Sequence, residues 1–134
     1  MGNINPINNS GKELENELEQ RLIQNGIPYT RSEEGPKADI DFIIHTKPKM
    51  YVECHNQNTK GSVDEKIPHK VFKYRSKHGM DTMYIVKGTY PLNSRIENHI
   101  ELLESAFGMK VEIESLDSIT NKILSNPIQN NKFF

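Results

Sequence analysis

The sequence lacks the features that mark secreted and membrane-spanning proteins. Its 134 residues include one cysteine, so no disulfide can form within the chain, and a reducing compartment is expected. No run of apolar residues is longer than five, whereas a membrane-spanning helix needs about 20. The first ten residues contain no apolar stretch of the kind that directs secretion. We therefore expect an intracellular, cytoplasmic protein that does not associate with membranes.

An excess of either charge is also missing. Lys and Arg total 17 and Asp and Glu total 18, which gives a formal net charge of -1. This near-balance argues against a wholly basic protein that coats DNA, although it leaves room for a local basic surface. Hydrophobic residues make up only 34% of the chain, so we expect one domain with a modest core. The Asn-rich ends, residues 1–9 and 126–134, are expected to be flexible around a single domain of residues 10–125.

The spacing of apolar residues predicts helices that alternate with short strands. Leu14, Leu18 and Leu22 recur every four residues before Gly26, which predicts a helix over residues 11–25. Further helices are predicted over 63–78, 95–107 and 116–124, and strands over 27–31, 39–44, 50–54, 82–86 and 111–114. The second and third of these strands are expected to pair as a hairpin. The order α-β-β-β-α-β-α-β-α predicts an α/β fold with a mixed sheet flanked by helices.

Polar residues interrupt the apolar pattern of this hairpin. Residues two apart in a strand share a face, so Glu53, His55 and Gln57 are expected together on one face. Asp39 and Asp41 are likewise expected to share a face of the partner strand, while the apolar residues between them face the core. These side chains either face water or converge in one cleft. Glu is a poor strand former, and its place inside an apolar stretch favours the cleft.

The residue types in this cleft restrict its chemistry. Two carboxylates at a strand end offer hard oxygen ligands, which suit Mg²⁺ or Mn²⁺. Cys54 is expected on the opposite face from His55, which argues against a tetrahedral zinc site and against a Cys–His hydrolase.

Three stretches of the chain resemble the PD-(D/E)xK nuclease superfamily, which has the restriction-endonuclease-like fold. The core of that family is a helix with a Glu, followed by a hairpin with Asp on one strand and Glu-x-Lys on the next. The corresponding stretches here are Gly11-Lys-Glu-Leu-Glu15, Ala38-Asp-Ile-Asp-Phe42 and Val52-Glu-Cys-His55. The later run Gly61-Ser-Val-Asp-Glu-Lys-Ile-Pro68 also resembles a segment of some restriction enzymes of this superfamily. The resemblance covers roughly residues 11–90 and implies a core of αβββαβ type.

The resemblance also implies roles for individual residues. Asp41 and Glu53 would hold Mg²⁺ or Mn²⁺. Asp41 is preferred as the Asp of the motif because an apolar run follows Asp41 directly, and Asp39 is the alternative. Glu65 is a further candidate metal ligand and Glu15 a supporting carboxylate.

One position departs from the family pattern, because His55 stands where the superfamily usually has Lys. This Glu-x-His variant resembles the cleavage subunits of two-subunit Type IIS restriction and nicking enzymes. His55 would then position or activate the attacking water, since a neutral imidazole with a pKa of about 6.5 can accept a proton. Gln57 would hydrogen-bond His55 or the phosphate.

The basic residues are concentrated after the hairpin. Lys66, Lys70, Lys73 and Lys77 fall on one stripe of the predicted helix, and Lys60 precedes it. A stripe of this kind can follow the phosphate backbone of DNA, although a solvated helix face is the simpler alternative.

The sequence thus predicts a metal-dependent DNA endonuclease that hydrolyses phosphodiester bonds, in a prokaryotic or phage-like setting. The small size predicts a homodimer, or a restriction-type cleavage subunit beside a larger subunit that recognises double-stranded DNA. The alternatives are a Holliday-junction-resolvase-like or phage nuclease and a catalytically inactive nucleic-acid-binding module of the same fold.

Overall fold

The computed structural model describes residues 6–33, 35, 37–55, 66–88 and 94–128, with side chains from residue 12 onward. The helices and strands of this part are α1 Pro6–Gln24, β1 Tyr29–Arg31, β2 Phe42–Ile44, β3 Met50–His55, α2 Lys66–His78, β4 Thr82–Lys87, α3 Ser94–Phe107, β5 Lys110–Glu114 and α4 Leu116–Leu124. Their order is the predicted one. The largest shifts in bounds are at α1, which starts before residue 11, and at β2, which starts three residues later than predicted.

The five strands form one mixed sheet in the order β1-β2-β3-β4-β5. β1, β2 and β3 pair antiparallel, and Phe42 lies opposite Val52 in the hairpin of β2 and β3. β3, β4 and β5 pair parallel, because α2 and α3 carry the chain back across the sheet between them. The predicted α/β fold with a mixed sheet flanked by helices is therefore confirmed.

Each face of the sheet is covered by a pair of helices. On one face, α1 and α4 pack against alternate strand residues in a core of Leu18, Leu22, Ile27, Phe42, Ile44, Met50, Val52, Cys54, Val86, Ile119 and Ile123. On the other face, α2 and α3 form a core with Ile40, Ile67, Val71, Tyr74, Met80, Met83, Ile85, Ile96, Ile100, Met109 and Val111. Glu53 therefore lies between two residues of the first core, and its side chain belongs to the face that α2 covers.

The predicted alternation fails before β2. Ile40 packs in the core of α2 and α3, whereas Phe42 and Ile44 pack in the core of α1 and α4. The reason is that side chains rather than a neighbouring strand satisfy the backbone amides of residues 39–41. The Asp39 amide donates to Ser32 Oγ, the Ile40 amide to Asp39 Oδ1 and the Asp41 amide to Glu53 Oε1. Because residues 39–41 lie outside the strand ladder, the expectation that Ile40 shares a face with Phe42 and Ile44 was wrong.

Described secondary structure extends into both ranges that were expected to be flexible. α1 begins at Pro6, inside the segment expected to be flexible. After α4, the Lys47 amide donates to the Pro127 carbonyl at 2.8 Å, and Thr46 forms a β-bridge with Ile128. Residues 126–128 of the predicted tail are therefore attached to the turn between β2 and β3.

Within the described ranges, no helix is long and apolar enough to cross a lipid bilayer.

Candidate active site

Asp41 and Glu53 are fixed side by side at one end of the β2–β3 hairpin. The register that places Phe42 opposite Val52 also brings Asp41 opposite Glu53. The Asp41 amide donates to Glu53 Oε1 at 3.0 Å, and the Cys54 amide donates to Asp41 Oδ2 at 2.8 Å. Each carboxylate thus accepts a hydrogen bond from the backbone of the opposite segment, which holds both in a defined orientation.

This pair of carboxylates carries an unfavourable concentration of negative charge. Burial, and then the negative charge of Glu53, raise the pKa of Asp41 to about 8. Burial also raises the pKa of Glu53, which is only 4% exposed. Adjacent carboxylates with raised pKa values favour the binding of a cation in exchange for protons, so the electrostatics of the pair favour a positively charged ligand.

Lys70 of α2 reaches this pair from above the sheet. Its Nζ lies 3.1 Å from Glu53 Oε2, and its side chain remains 29% exposed. Its positive charge lowers the pKa of both Glu53 and Asp41, although burial outweighs this effect. Sequence reasoning placed Lys70 in a basic stripe but missed its contact with Glu53.

Glu15 influences Asp41 and Glu53 through its negative charge. Its Oε1 accepts from Arg31 Nη2 at 3.0 Å, and Arg31 Nη1 also donates to Glu19 Oε1 at 2.7 Å. The charge of Glu15 contributes to the raised pKa values of Asp41 and Glu53. Arg31, which fixes Glu15 to β1, had no signal in the sequence, since a single Arg in a short strand is not distinctive.

His55 ends β3 two residues after Glu53, and it is 5% exposed. Its position gives it the same face of the sheet as Glu53, as the alternation predicts. Its carbonyl accepts from the Gly88 amide at 3.2 Å. The predicted site residues Gln57, Lys60 and Glu65 lie outside the described residues.

Asp39, the alternative metal ligand, belongs to a different cluster. Its Oδ1 lies 2.8 Å from His78 Nε2, and its Oδ2 lies 2.9 Å from Lys77 Nζ. Burial opposes ionisation of Asp39, but the hydrogen bonds from His78 and Lys77 outweigh it and lower the pKa to about 2. The structure therefore brings Asp41, and not Asp39, beside Glu53.

The predicted basic stripe divides into two pairs of lysines. Lys70 and Lys77 contact the carboxylates of Glu53 and Asp39. Lys66 and Lys73 are exposed, and the Lys73 ammonium lies 5.4 Å from the centre of the Tyr74 ring. The second pair is exposed and contacts no carboxylate within the described ranges, whereas Lys77, although 56% exposed, is paired with Asp39.

The oxygen ligands of the site fit a hard divalent ion. In the ranges that the structure describes, no group of three or more His, Cys, Asp or Glu residues is arranged to hold a metal. Asp41 and Glu53 nevertheless suffice for Mg²⁺, which keeps several of its waters and often takes only one or two protein carboxylates. They do not suffice for a structural zinc site, which needs four ligands.

Comparison with known proteins agrees with this geometry. A family model described as a PD-(D/E)XK nuclease superfamily domain matches residues 7–90, more than half of the chain. No curated protein and no solved structure matches the chain. The matched range contains α2, the sheet from β1 to β4 and both central carboxylates. The fold, the paired Asp41 and Glu53 and the family match lead to one conclusion: the chain belongs to the PD-(D/E)XK nuclease superfamily.

Proposed function

We propose that the chain is a divalent-metal-dependent DNA endonuclease that hydrolyses phosphodiester bonds, with Asp41 and Glu53 as the metal ligands. The observation that carries this proposal is the reciprocal fixing of two carboxylates, Glu53 buried and Asp41 partly buried, by the amides of Asp41 and Cys54. Burial costs these groups stability, which their raised pKa values reflect. A ligand that relieves this cost is the physical reason to keep them together.

Hydrolysis of a phosphodiester by water requires positive charge near the phosphate and no covalent bond to the protein. The oxygen of a water molecule forms a bond to phosphorus, the bond from phosphorus to one sugar oxygen breaks, and a proton passes from the water to a base while the sugar oxygen gains one. The phosphodiester is an anion and repels the incoming oxygen. A divalent ion, when bound, offsets this charge and makes water more acidic. Asp41 and Glu53 contribute by holding their oxygens in place before substrate arrives.

His55 is the proposed base for the proton of the attacking water. It follows Glu53 by two residues and shares its face of the sheet. A neutral imidazole accepts a proton near neutral pH. Glu15 supports the site through its charge, and Gln57 and Glu65 keep the supporting roles that the sequence assigns to them.

Double-stranded DNA is the proposed substrate, and Mg²⁺ or Mn²⁺ the proposed cofactor. Lys66 and Lys73 are exposed on α2, the helix that also carries Lys70 to the carboxylates. Phosphate contacts from such lysines position a duplex without reading its sequence. We therefore propose a restriction-type cleavage subunit that works as a homodimer or beside a larger DNA-recognition subunit.

A second candidate is a nucleic-acid-binding module of the same fold without catalytic activity. The observation that favours it is His55, because the family motif has Lys at this position. The two candidates differ in cleavage and not in DNA binding.

Nicking of supercoiled plasmid separates these candidates. We expect the wild-type chain to nick or cut with Mg²⁺ or Mn²⁺ and to be inactive with a chelator. Glu53→Gln should reduce the rate by on the order of 10³-fold, since the loss of a metal ligand removes several kcal/mol of charge stabilisation. Glu97→Gln is the matched control, because Glu97 is an exposed carboxylate on α3.

The proposed function would be wrong if neither metal supported cleavage, with or without a partner subunit, and no Mn²⁺ bound in a manner that depends on Glu53. DNA binding without cleavage under these conditions would support the second candidate instead.

A further inference from the structure

The site lacks a lysine where the family motif has one. His55 occupies that position at the end of β3 and is 5% exposed. A lysine there would share the face of Glu53, and its ammonium group would lie beside the carboxylates. A permanent positive charge at this place must therefore come from another part of the chain.

Lys70 does so from α2, which packs on that face of the sheet. Its Nζ is 3.1 Å from Glu53 Oε2. The contact is anchored by the neighbouring residues Ile67, Val71 and Tyr74, which are buried against the sheet. Lys70 is therefore held above Glu53 by the packing of α2.

The exposure of Lys70 distinguishes it from a purely structural partner. Its side chain is 29% exposed, whereas that of Glu53 is 5% exposed. The ammonium group thus lies between the buried carboxylate and the solvent, from which a phosphate would approach. Arg31, another cation near the site, is turned toward Glu15 and Glu19.

We propose that Lys70 replaces the motif lysine and supplies, from α2, the fixed positive charge for the substrate phosphate. This inference rests on the proposed function. In the chain without a divalent ion, Lys70 pairs with Glu53. A divalent ion on Glu53 would compete with the Lys70 ammonium group for the same carboxylate, because the two cations repel each other. Lys70 then pairs with the phosphate anion.

A structural role for Lys70 makes a different prediction. If Lys70 only neutralised Glu53, a divalent ion at saturating concentration would do the same, and the rate of Lys70→Met would return to that of the wild type. If Lys70 acts on the phosphate, the defect persists at saturating metal. The affinity for metal and the rate at saturation therefore separate the two roles.

The test measures Mn²⁺ affinity by electron paramagnetic resonance and single-turnover nicking at saturating Mn²⁺. We expect Lys70→Met to bind Mn²⁺ at least as tightly as the wild type and to nick about 100-fold more slowly, which is the usual loss when one charge-stabilising donor is removed.

Lys70→Arg should retain more of the nicking rate than Lys70→Met. In a His55→Lys background, which already lacks the proposed base, Lys70→Met should slow nicking by less than about tenfold, because an ammonium group then occupies the motif position. Lys110→Met, which changes an exposed lysine at the start of β5, should leave both readouts unchanged.

Three results would overturn the inference while leaving the proposed function intact. These are a wild-type nicking rate in Lys70→Met at saturating Mn²⁺, a weaker binding of Mn²⁺ in Lys70→Met than in the wild type, and an effect of Lys70→Met that is undiminished in the His55→Lys background. Should Lys70→Met fail to fold, Lys70→Arg and the double variant His55→Lys/Lys70→Met, each checked by thermal denaturation, still decide the matter. A wild-type chain that does not nick at all would instead overturn the proposed function, and this inference with it.

Discussion

Asp39 and Asp41 are two residues apart and lie in opposite electrostatic environments. Asp39 contacts His78 and Lys77, and these partners lower its pKa to about 2 against the effect of burial. Asp41 is partly buried beside the carboxylate of Glu53, and its pKa is raised to about 8. We call the first group, Asp39, Lys77 and His78, the balanced cluster. The second group, Asp41, Glu53 and Lys70, is the unbalanced cluster.

The difference shows how structural and functional carboxylates can be told apart. In the balanced cluster each Asp39 oxygen has a cationic or imidazole partner within 2.9 Å, so the fold gains stability from the ionised form. In the unbalanced cluster one ammonium group lies beside two carboxylates, one buried and one partly buried, so the fold is less stable when both are ionised. Carboxylates with pKa values raised in this way are typical of ligand-binding and catalytic sites.

The largest expected effect tests which cluster carries the chemistry. Asp41→Asn should reduce metal-dependent nicking by on the order of 10³-fold, because one of the two proposed metal ligands loses its charge. Asp39→Asn should reduce the rate by less than about tenfold, since its carboxylate is paired with Lys77 and His78 and is not the one hydrogen-bonded beside Glu53. Plasmid nicking with Mg²⁺ and with Mn²⁺ measures both variants. The assignment would be reversed if Asp39→Asn were the inactive variant.

Much of this comparison was predictable from the sequence. The helix and strand order follows from apolar spacing, and the hairpin follows from two apolar segments around a short turn. The preference for Asp41 over Asp39 rested on the apolar run that begins at Phe42, and the structure does bring Asp41 beside Glu53. Local pattern was sufficient because the hairpin register is set by the apolar face that it buries.

The partners of the carboxylates were not predictable in the same way. Ser32 and Asp39 side chains replace strand hydrogen bonds before β2, and no local pattern reveals that exchange. The contact of Lys70 with Glu53 depends on how α2 lies across the sheet, which is set by long-range packing. Spacing placed Lys70 and Lys77 on one helical stripe, but only the tertiary structure separates them between the two clusters.

The second effect concerns stability without metal. Because the pKa of Asp41 in the fold, about 8, exceeds its ordinary value of 3.8, the fold favours the protonated form. The free energy of unfolding should therefore decrease as pH rises from about 4 to about 8. Asp41→Asn removes this ionisation and should be more stable than the wild type at pH 8.5, by on the order of 2 kcal/mol, with a smaller difference at pH 5.

Urea denaturation in the presence of a chelator, at several pH values, measures this effect. Glu97→Gln serves again as the exposed-carboxylate control and should follow the pH dependence of the wild type. A wild-type chain that is more stable than Asp41→Asn at pH 8.5 would mean that the unbalanced cluster is not short of positive charge.

The smallest effect has the opposite sign and belongs to the balanced cluster. The pKa of Asp39 in the fold, about 2, is below its ordinary value of 3.8, so its contribution to stability is present above pH 4 and is lost as pH falls toward 2. Asp39→Asn should therefore be less stable than the wild type by about 1 kcal/mol at pH 6, a modest value because the Asp39 side chain is 26% exposed and its Lys77 partner 56% exposed. The same denaturation series, extended to pH 3, should show this difference shrinking below pH 4. If the difference instead grew toward low pH, both aspartates would destabilise the fold when ionised, and the contrast between the two clusters would disappear.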